Sequence, residues 1–188
     1  MRGSWISADW SAPDAVIAGT TLRDGSFDDL GLAGRPCWLN QVHGADVVIA
    51  QDHETPPDAD AAIGRCIDDV CVVRTADCLP VLISSADGTE IAAAHAGWRG
   101  LAAGIIEATV GGMRHDPDEL LVWLGPAISQ PAFEVGDEVR AAFVAETPDD
   151  AEHFEATARG RGQADLYGLA RRRLRGLGVA EVAYGIDA

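Results

Sequence analysis

The chain has 188 residues and a mass of 19.7 kDa, enough for one domain with a substantial core. Apolar residues make up 47% and charged residues 23%, a globular mix that excludes wholesale disorder. The formal net charge is −16 and every cationic side chain is Arg, so neither nucleic acid nor an anionic membrane is an expected partner.

Taken in chain order, Ala15 to Leu22 reads as a strand and the Gly/Asp-rich stretch Asp24 to Gly34 as a loop. Pro36 to Val42 predicts a second strand that delivers His43, and Asp46 to Ala50 continues extended after Gly44. Gln51 to Pro57 is a polar loop. The β-branched run Val70 to Thr75 and the run Val81 to Ser84 predict strands, with a bend at Pro80, which cannot donate to a ladder. Ser85-Ala-Asp-Gly88 is a turn, and Ile91 to Ala94 is a buried strand ending at His95. Leu101, Ile105 and Ala108 then repeat at helical spacing until Gly111-Gly112. Leu120 to Leu124 predicts a strand, while Val135, Val139 and Phe143 mark a helix face. Leu166, Leu169, Ala170 and Leu174 mark another, stopped at Gly176 and Gly178, and Val179 to Tyr184 is a last strand. Single and adjacent strands mixed with helices argue for an α+β class, with a layered mixed β-sheet and flanking helices.

No run of about 18 apolar residues is present, and Met1 to Pro13 lacks a basic start followed by an apolar block. Cys37, Cys66, Cys71 and Cys78 form no CxxC pair, so free thiols in a reducing, cytoplasmic setting are expected.

Three segments carry the chemistry: Leu39-Asn-Gln-Val-His-Gly44, Thr75-Ala-Asp-Cys-Leu-Pro-Val-Leu82 and Ala92-Ala-Ala-His-Ala-Gly-Trp-Arg-Gly100. Each sets one borderline-soft ligand at a predicted strand end: His43, Cys78 and His95. Two imidazoles and a thiolate fit zinc with an open fourth position. Their sequence gaps form no local motif, so a satisfied core His and a buried Cys are the competing reading. His95 is followed by Gly97, Trp98, Arg99 and Gly100 and then a helix, where free N–H groups and Arg99 suit an anion; tight packing alone would also explain the two glycines. Gln41 is a candidate to orient a substrate or ligand, and Asp60 and Asp77 are candidate acceptors behind the ligands, although most acids in so acidic a chain are simply solvated. His53, His115 and His153 read as surface residues and Arg171-Arg-Arg173 as a solvated helix face. A P-loop, GxGxxG, GxSxG and the zinc-deaminase signature are all absent.

These segments together resemble the YfiH family, also called the laccase-domain or multicopper polyphenol oxidase family. The resemblance rests on Gln41-Val-His-Gly44, Asp60-Ala61, Thr75-Ala-Asp-Cys-Leu-Pro80, Ala92-Ala-Ala-His-Ala-Gly-Trp-Arg-Gly100, Leu124-Gly-Pro-Ala-Ile128, Phe133-Glu-Val-Gly136 and Ala164-Asp-Leu-Tyr167. It implies a single domain over residues 1–188 and zinc ligands at His43, Cys78 and His95. It further implies phosphorolysis of adenosine, inosine or methylthioadenosine to free base and ribose-1-phosphate. The small-molecule partners are then a nucleoside and phosphate, with Arg23, Gln41, Asp77 and Arg99 as the expected catalytic residues, Arg99 and Arg23 among them holding phosphate. Adenosine deamination and editing of peptidoglycan precursors are also attributed to the family. Relatives carry a GGVS-type loop, an Asn-Leu-Gly segment and a helix where Thr21-Leu-Arg-Asp-Gly25 here runs almost directly to Pro36, and a Cys-Thr segment with a Ser-Tyr-Arg-Arg motif beyond Gly185-Ile-Asp187. Metal binding is expected to survive without these pieces.

Copper is the alternative metal, since His₂Cys is also the blue-copper set. Five His in the whole chain are too few for a multinuclear cluster besides. A metal-free cysteine hydrolase with Cys78 as nucleophile, and a non-catalytic metal-binding homologue, are the other readings.

Overall fold

Val81, Ile83, Ala92, Ala94, Val122 and Leu124 are almost wholly inaccessible and alternate along three neighbouring strands, so the centre of the fold is a covered sheet. The computed structural model describes residues 5–50, 54–157 and 161–185. Its strands are β1 (Trp5–Ser7), β2 (Gly19–Thr21), β3 (Arg35–Cys37), β4 (Val47–Ile49), β5 (Ala61–Gly64), β6 (Asp69–Cys71), β7 (Leu79–Ser85), β8 (Ile91–Ala96), β9 (Leu120–Leu124), β10 (Glu134–Val135), β11 (Phe154–Ala156), β12 (Gly162–Ala164) and β13 (Glu181–Tyr184). The helices are α1 (Trp98–Ala102), α2 (Ile105–Gly112), α3 (Asp137–Val144) and α4 (Leu166–Leu177).

Six strands form the main sheet in the order β13-β9-β7-β8-β5-β4. The central pairs β7–β8, β7–β9 and β5–β8 are antiparallel, while β13 joins β9 and β4 joins β5 in parallel. Ile63, Val81, Ala92 and Val122 pack against Leu101, Ile105, Ile106, Leu169 and Leu174 of the helices. On the other face, Ala62 lies with Cys37 and Leu39 in a second apolar cluster under the parallel ribbon β3–β6. The result is the layered mixed sheet with flanking helices expected from the sequence. A small sheet, β10-β12-β11, adjoins α3.

Several elements differ from the sequence reading. The strand expected over Ala15 to Leu22 shrinks to β2, after a turn in which Val16 N–H meets Pro13 O at 2.8 Å. The strand expected over Pro36 to Val42 stops at Cys37, and the chain reaches His43 through a single bridge between Asn40 and Asp58. No bend occurs at Pro80: β7 runs through it near its end, where a missing N–H costs the sheet little. One expected helix is two, because Gly104 at φ +90° breaks it between α1 and α2. Val135 belongs to β10, and the helix begins only at Asp137. His53 and the start of its loop lie outside the described residues.

The other two supposed surface histidines are partly buried. His153 has a side chain only 16% exposed. His115 contacts Glu90 at 3.2 Å through Nδ1, and Glu90 also receives Arg65 Nε at 2.7 Å and Arg114 N–H at 2.8 Å. Arg173 is likewise no solvated residue: it bonds Glu107 of α2 at 2.7 Å, and Arg172 reaches the buried Asp150 at 2.8 Å. The basic face of α4 therefore ties helices together.

The hydrogen bond to Glu90 raises the His115 pKa; burial opposes it and Asp87 adds to it. A raised folded-state pKa stabilises fully below the unfolded value of about 6.5, and that contribution disappears as pH rises through the folded-state value. Urea unfolding of wild type and His115→Gln across pH should show a stability gap in acid that closes in base. A pH-independent gap would contradict this assignment.

Candidate metal centre

The β7–β8 register places Leu79 opposite Ala96, so Cys78 emerges beside Gly97. His95 lies on the ribbon side of β8, one residue inside its end, and is 2% exposed. His43 descends from the loop after β3. The potential ligand atoms of His43, Cys78 and His95 all lie within 4.8 Å of one another. The imidazole rings of His43 and His95 meet edge to face, 4.7 Å apart at 79°. His43 is exposed, Cys78 half-buried and His95 buried, so the centre opens to solvent on the His43 side.

The donor set fits a single borderline metal. A tetrahedral ion with bonds of about 2.0–2.3 Å sets two nitrogens, or a nitrogen and a sulfur, roughly 3.3–3.6 Å apart, so closure by about 1.5 Å or less suffices. Among the described residues this is the one group of three or more His, Cys, Asp or Glu so arranged. Burial, followed by the charges of Asp77 and Asp60, pushes the Cys78 thiol up. That setting is wrong for a free nucleophilic thiolate, which needs a depressed pKa. It suits a thiol whose proton leaves when a cation arrives.

Asp60 stands behind the ligands, fully buried, with Oδ1 2.8 Å from His95 Nδ1. It also accepts the backbone N–H groups of Val42, His43 and Gly44 at 3.1, 3.0 and 2.7 Å. Burial alone would raise its carboxyl, but the bonds from His95 and from Gly44, Val42 and His43 outweigh that and hold it below the usual range. Of the two acids considered from sequence, Asp60 takes this position. The other, Asp77, is exposed; its carbonyl accepts from Ile128 N–H at 3.0 Å.

Gln41 does not reach out from a strand. Its amide pairs with the Arg74 backbone in both directions, at 2.8 and 2.7 Å, and so braces the His43 loop against the segment leading to Cys78. Arg99 is exposed on the first turn of α1, its guanidinium 4.5 Å over the Trp98 ring. Arg23 is exposed in the turn after β2, on a hairpin that pairs with neither the main sheet nor the ribbon. Sequence reasoning missed Tyr167. Its hydroxyl donates to Gly125 O at 2.9 Å and accepts from Ala127 N–H at 2.8 Å, pinning the loop that backs Asp77 and Cys78.

The two glycines after His95 are needed for close approach. A Cβ on Gly97 would lie 2.8 Å from Cys78 Sγ and 3.4 Å from His43 Cδ2, and one on Gly100 would lie 2.8 Å from Gly44 O. Gly97→Ala should therefore displace Cys78 and weaken metal retention, read with added zinc in equilibrium dialysis, while the far-ultraviolet circular dichroism stays native. Unchanged zinc affinity in this variant would contradict the packing described.

The family model described as multi-copper polyphenol oxidoreductase laccase matches residues 13–187. A Pseudomonas aeruginosa protein named purine nucleoside phosphorylase is 45% identical over 210 aligned positions, covering 97% of this chain and 86% of that protein. The Escherichia coli purine nucleoside phosphorylase YfiH is 48% identical over 155 residues, 82% of this chain and 63% of that one. The crystal structure of a Neisseria meningitidis protein superposes with a TM-score of 0.92 at 38% identity, covering 98% of this chain and 88% of that one. With a family match over nearly the whole length and a fold shared at this level, the chain belongs to the YfiH family of multi-copper polyphenol oxidoreductase laccase proteins.

Proposed function

We propose that the chain is a zinc-dependent purine nucleoside phosphorylase acting on adenosine, inosine or methylthioadenosine with phosphate as co-substrate. The observation that carries this reading is the convergence of His43, Cys78 and His95 on one solvent-open point. It is supported by relatives named for that activity at 45% and 48% identity. Zinc held there would supply Lewis-acid polarisation of an oxygen.

The chain's own groups would divide the remaining work. His95, buried and braced, fixes the floor of the centre, while exposed His43 forms its mouth. Arg99, exposed on α1 and stacked on Trp98, would hold a phosphate oxygen through its planar fork. In the reaction, the bond between the sugar C1′ and the purine nitrogen breaks with its electron pair leaving on the base. A phosphate oxygen bonds to C1′, and the proton that hydrogen phosphate gives up ends on the departing base.

Zinc is favoured over copper as cofactor by the donor supply. One His₂Cys group is present among the described residues, and the chain has five His in all, too few for that site plus a multinuclear oxidase cluster. The test is incubation of zinc-loaded protein with adenosine and inosine, with and without phosphate, followed by chromatography with mass detection. Free base and ribose-1-phosphate formed only with phosphate are the expected products. Inosine appearing from adenosine without phosphate would replace phosphorolysis by hydrolytic deamination, and no product from zinc-loaded protein would overturn the nucleoside reading.

A further inference from the structure

We propose that Asp60 is the positioning residue of the metal centre: one buried carboxylate sets both the ring direction of His95 and the backbone conformation that delivers His43. The inference rests on the metal reading above and adds how three segments distant in sequence are brought to one ion.

The geometry begins in the sheet. Ala61 pairs with Ala94, so one step further along this antiparallel register puts Asp60 opposite His95. His95 N–H bonds the Asp60 carbonyl at 2.7 Å, and the side chains meet at 2.8 Å on the same face. With Oδ1 accepting from Nδ1, the proton sits on Nδ1 and Nε2 is left bare, directed to the point shared with Cys78 and His43. A carboxylate in this place also makes the imidazole a stronger donor toward a cation.

The same carboxylate organises the second ligand. Val42, His43 and Gly44 turn three successive N–H groups toward it, an anion-binding nest closed on the protein's own side chain. Forming that nest requires a left-handed residue, and His43 is it, at φ +60°, the one non-glycine residue with positive φ among those described. Such backbone strain persists only where the surroundings impose it and gathers at functional sites. Four N–H donors thus converge on two oxygens. An amide in place of the carboxylate offers one acceptor oxygen and turns an NH₂ toward groups that are themselves donors.

The test compares wild type with Asp60→Asn. Zinc affinity is measured by competition with a chromophoric chelator, and ligand geometry by the d–d absorption of the Co(II)-loaded protein. The expected result is folded Asp60→Asn with zinc affinity lower by roughly 10–100-fold and weaker, shifted Co(II) bands. A merely structural carboxylate would lower the unfolding midpoint and leave both metal readouts alone; that result overturns the proposal while the metal reading stands. Wild type that takes up neither ion overturns both. Should Asp60→Asn fail to fold, nitrogen-15 shifts of the His95 ring in metal-free wild type decide. A proton on Nδ1 with bare Nε2 supports the assignment, and a proton on Nε2 overturns it.

Discussion

Replacing Cys78 by Ser is expected to leave a folded protein that no longer retains one equivalent of zinc. Cys78 lies at the β7 end facing Gly97, outside the buried apolar core, so the substitution removes little packing. It does remove the one sulfur in the triad, and a neutral hydroxyl is a far poorer ligand than a thiolate. Nucleoside turnover should fall by more than the roughly 10–100-fold that loss of a group behind a ligand costs, because a ligand itself is gone. His95→Ala should act more severely, since it also deprives the buried Asp60 of its partner. Metal analysis after gel filtration, alongside the chromatographic assay, checks both. Full zinc occupancy in Cys78→Ser would remove Cys78 from the centre.

A large effect on stability is expected at Phe143. Its ring is inaccessible, packs 5.9 Å from Phe154 centre to centre, and lies under the Arg173 guanidinium at 5.6 Å. Truncation to Ala in such a core costs about 3–5 kcal/mol. For a chain of this size each kcal/mol lowers Tm by about 2–4 °C, so Phe143→Ala should melt roughly 6–20 °C below wild type. Calorimetry measures this, with zinc stoichiometry of the folded protein unchanged. A loss under about 1 kcal/mol would mean that α3 packs more loosely than its burial indicates.

Cys78 and His95 were legible because each lies beside an apolar run of strong strand character, Val81 to Ser84 and Ile91 to Ala94, whereas the strand expected to deliver His43 ends at Cys37. The central antiparallel strands and α4 followed from the same periodicity. What was not legible was pairing between distant segments. β5 is the short run Ala61-Ala-Ile-Gly64, buried on both faces, so it shows no alternation. Without β5 there is no register to set Asp60 against His95, and one carboxylate among thirty acids gives no local sign of four donors. The left-handed turn at His43 was hidden for the same reason, because the nest that imposes it is closed by a residue 17 positions away. Gln41 was read as a residue of a strand that ends before it, and its amide is spent on the Arg74 backbone instead. Gly104 lies inside the helical repeat of Leu101, Ile105 and Ala108, yet its positive φ divides α1 from α2.

The most direct measurement is X-ray absorption at the zinc edge of the loaded protein. The expected first shell has one sulfur at about 2.3 Å and two imidazole nitrogens at about 2.0–2.1 Å, with a light atom completing four-coordination. A shell without sulfur, or one built mainly of carboxylate oxygens, would contradict a centre made by His43, Cys78 and His95.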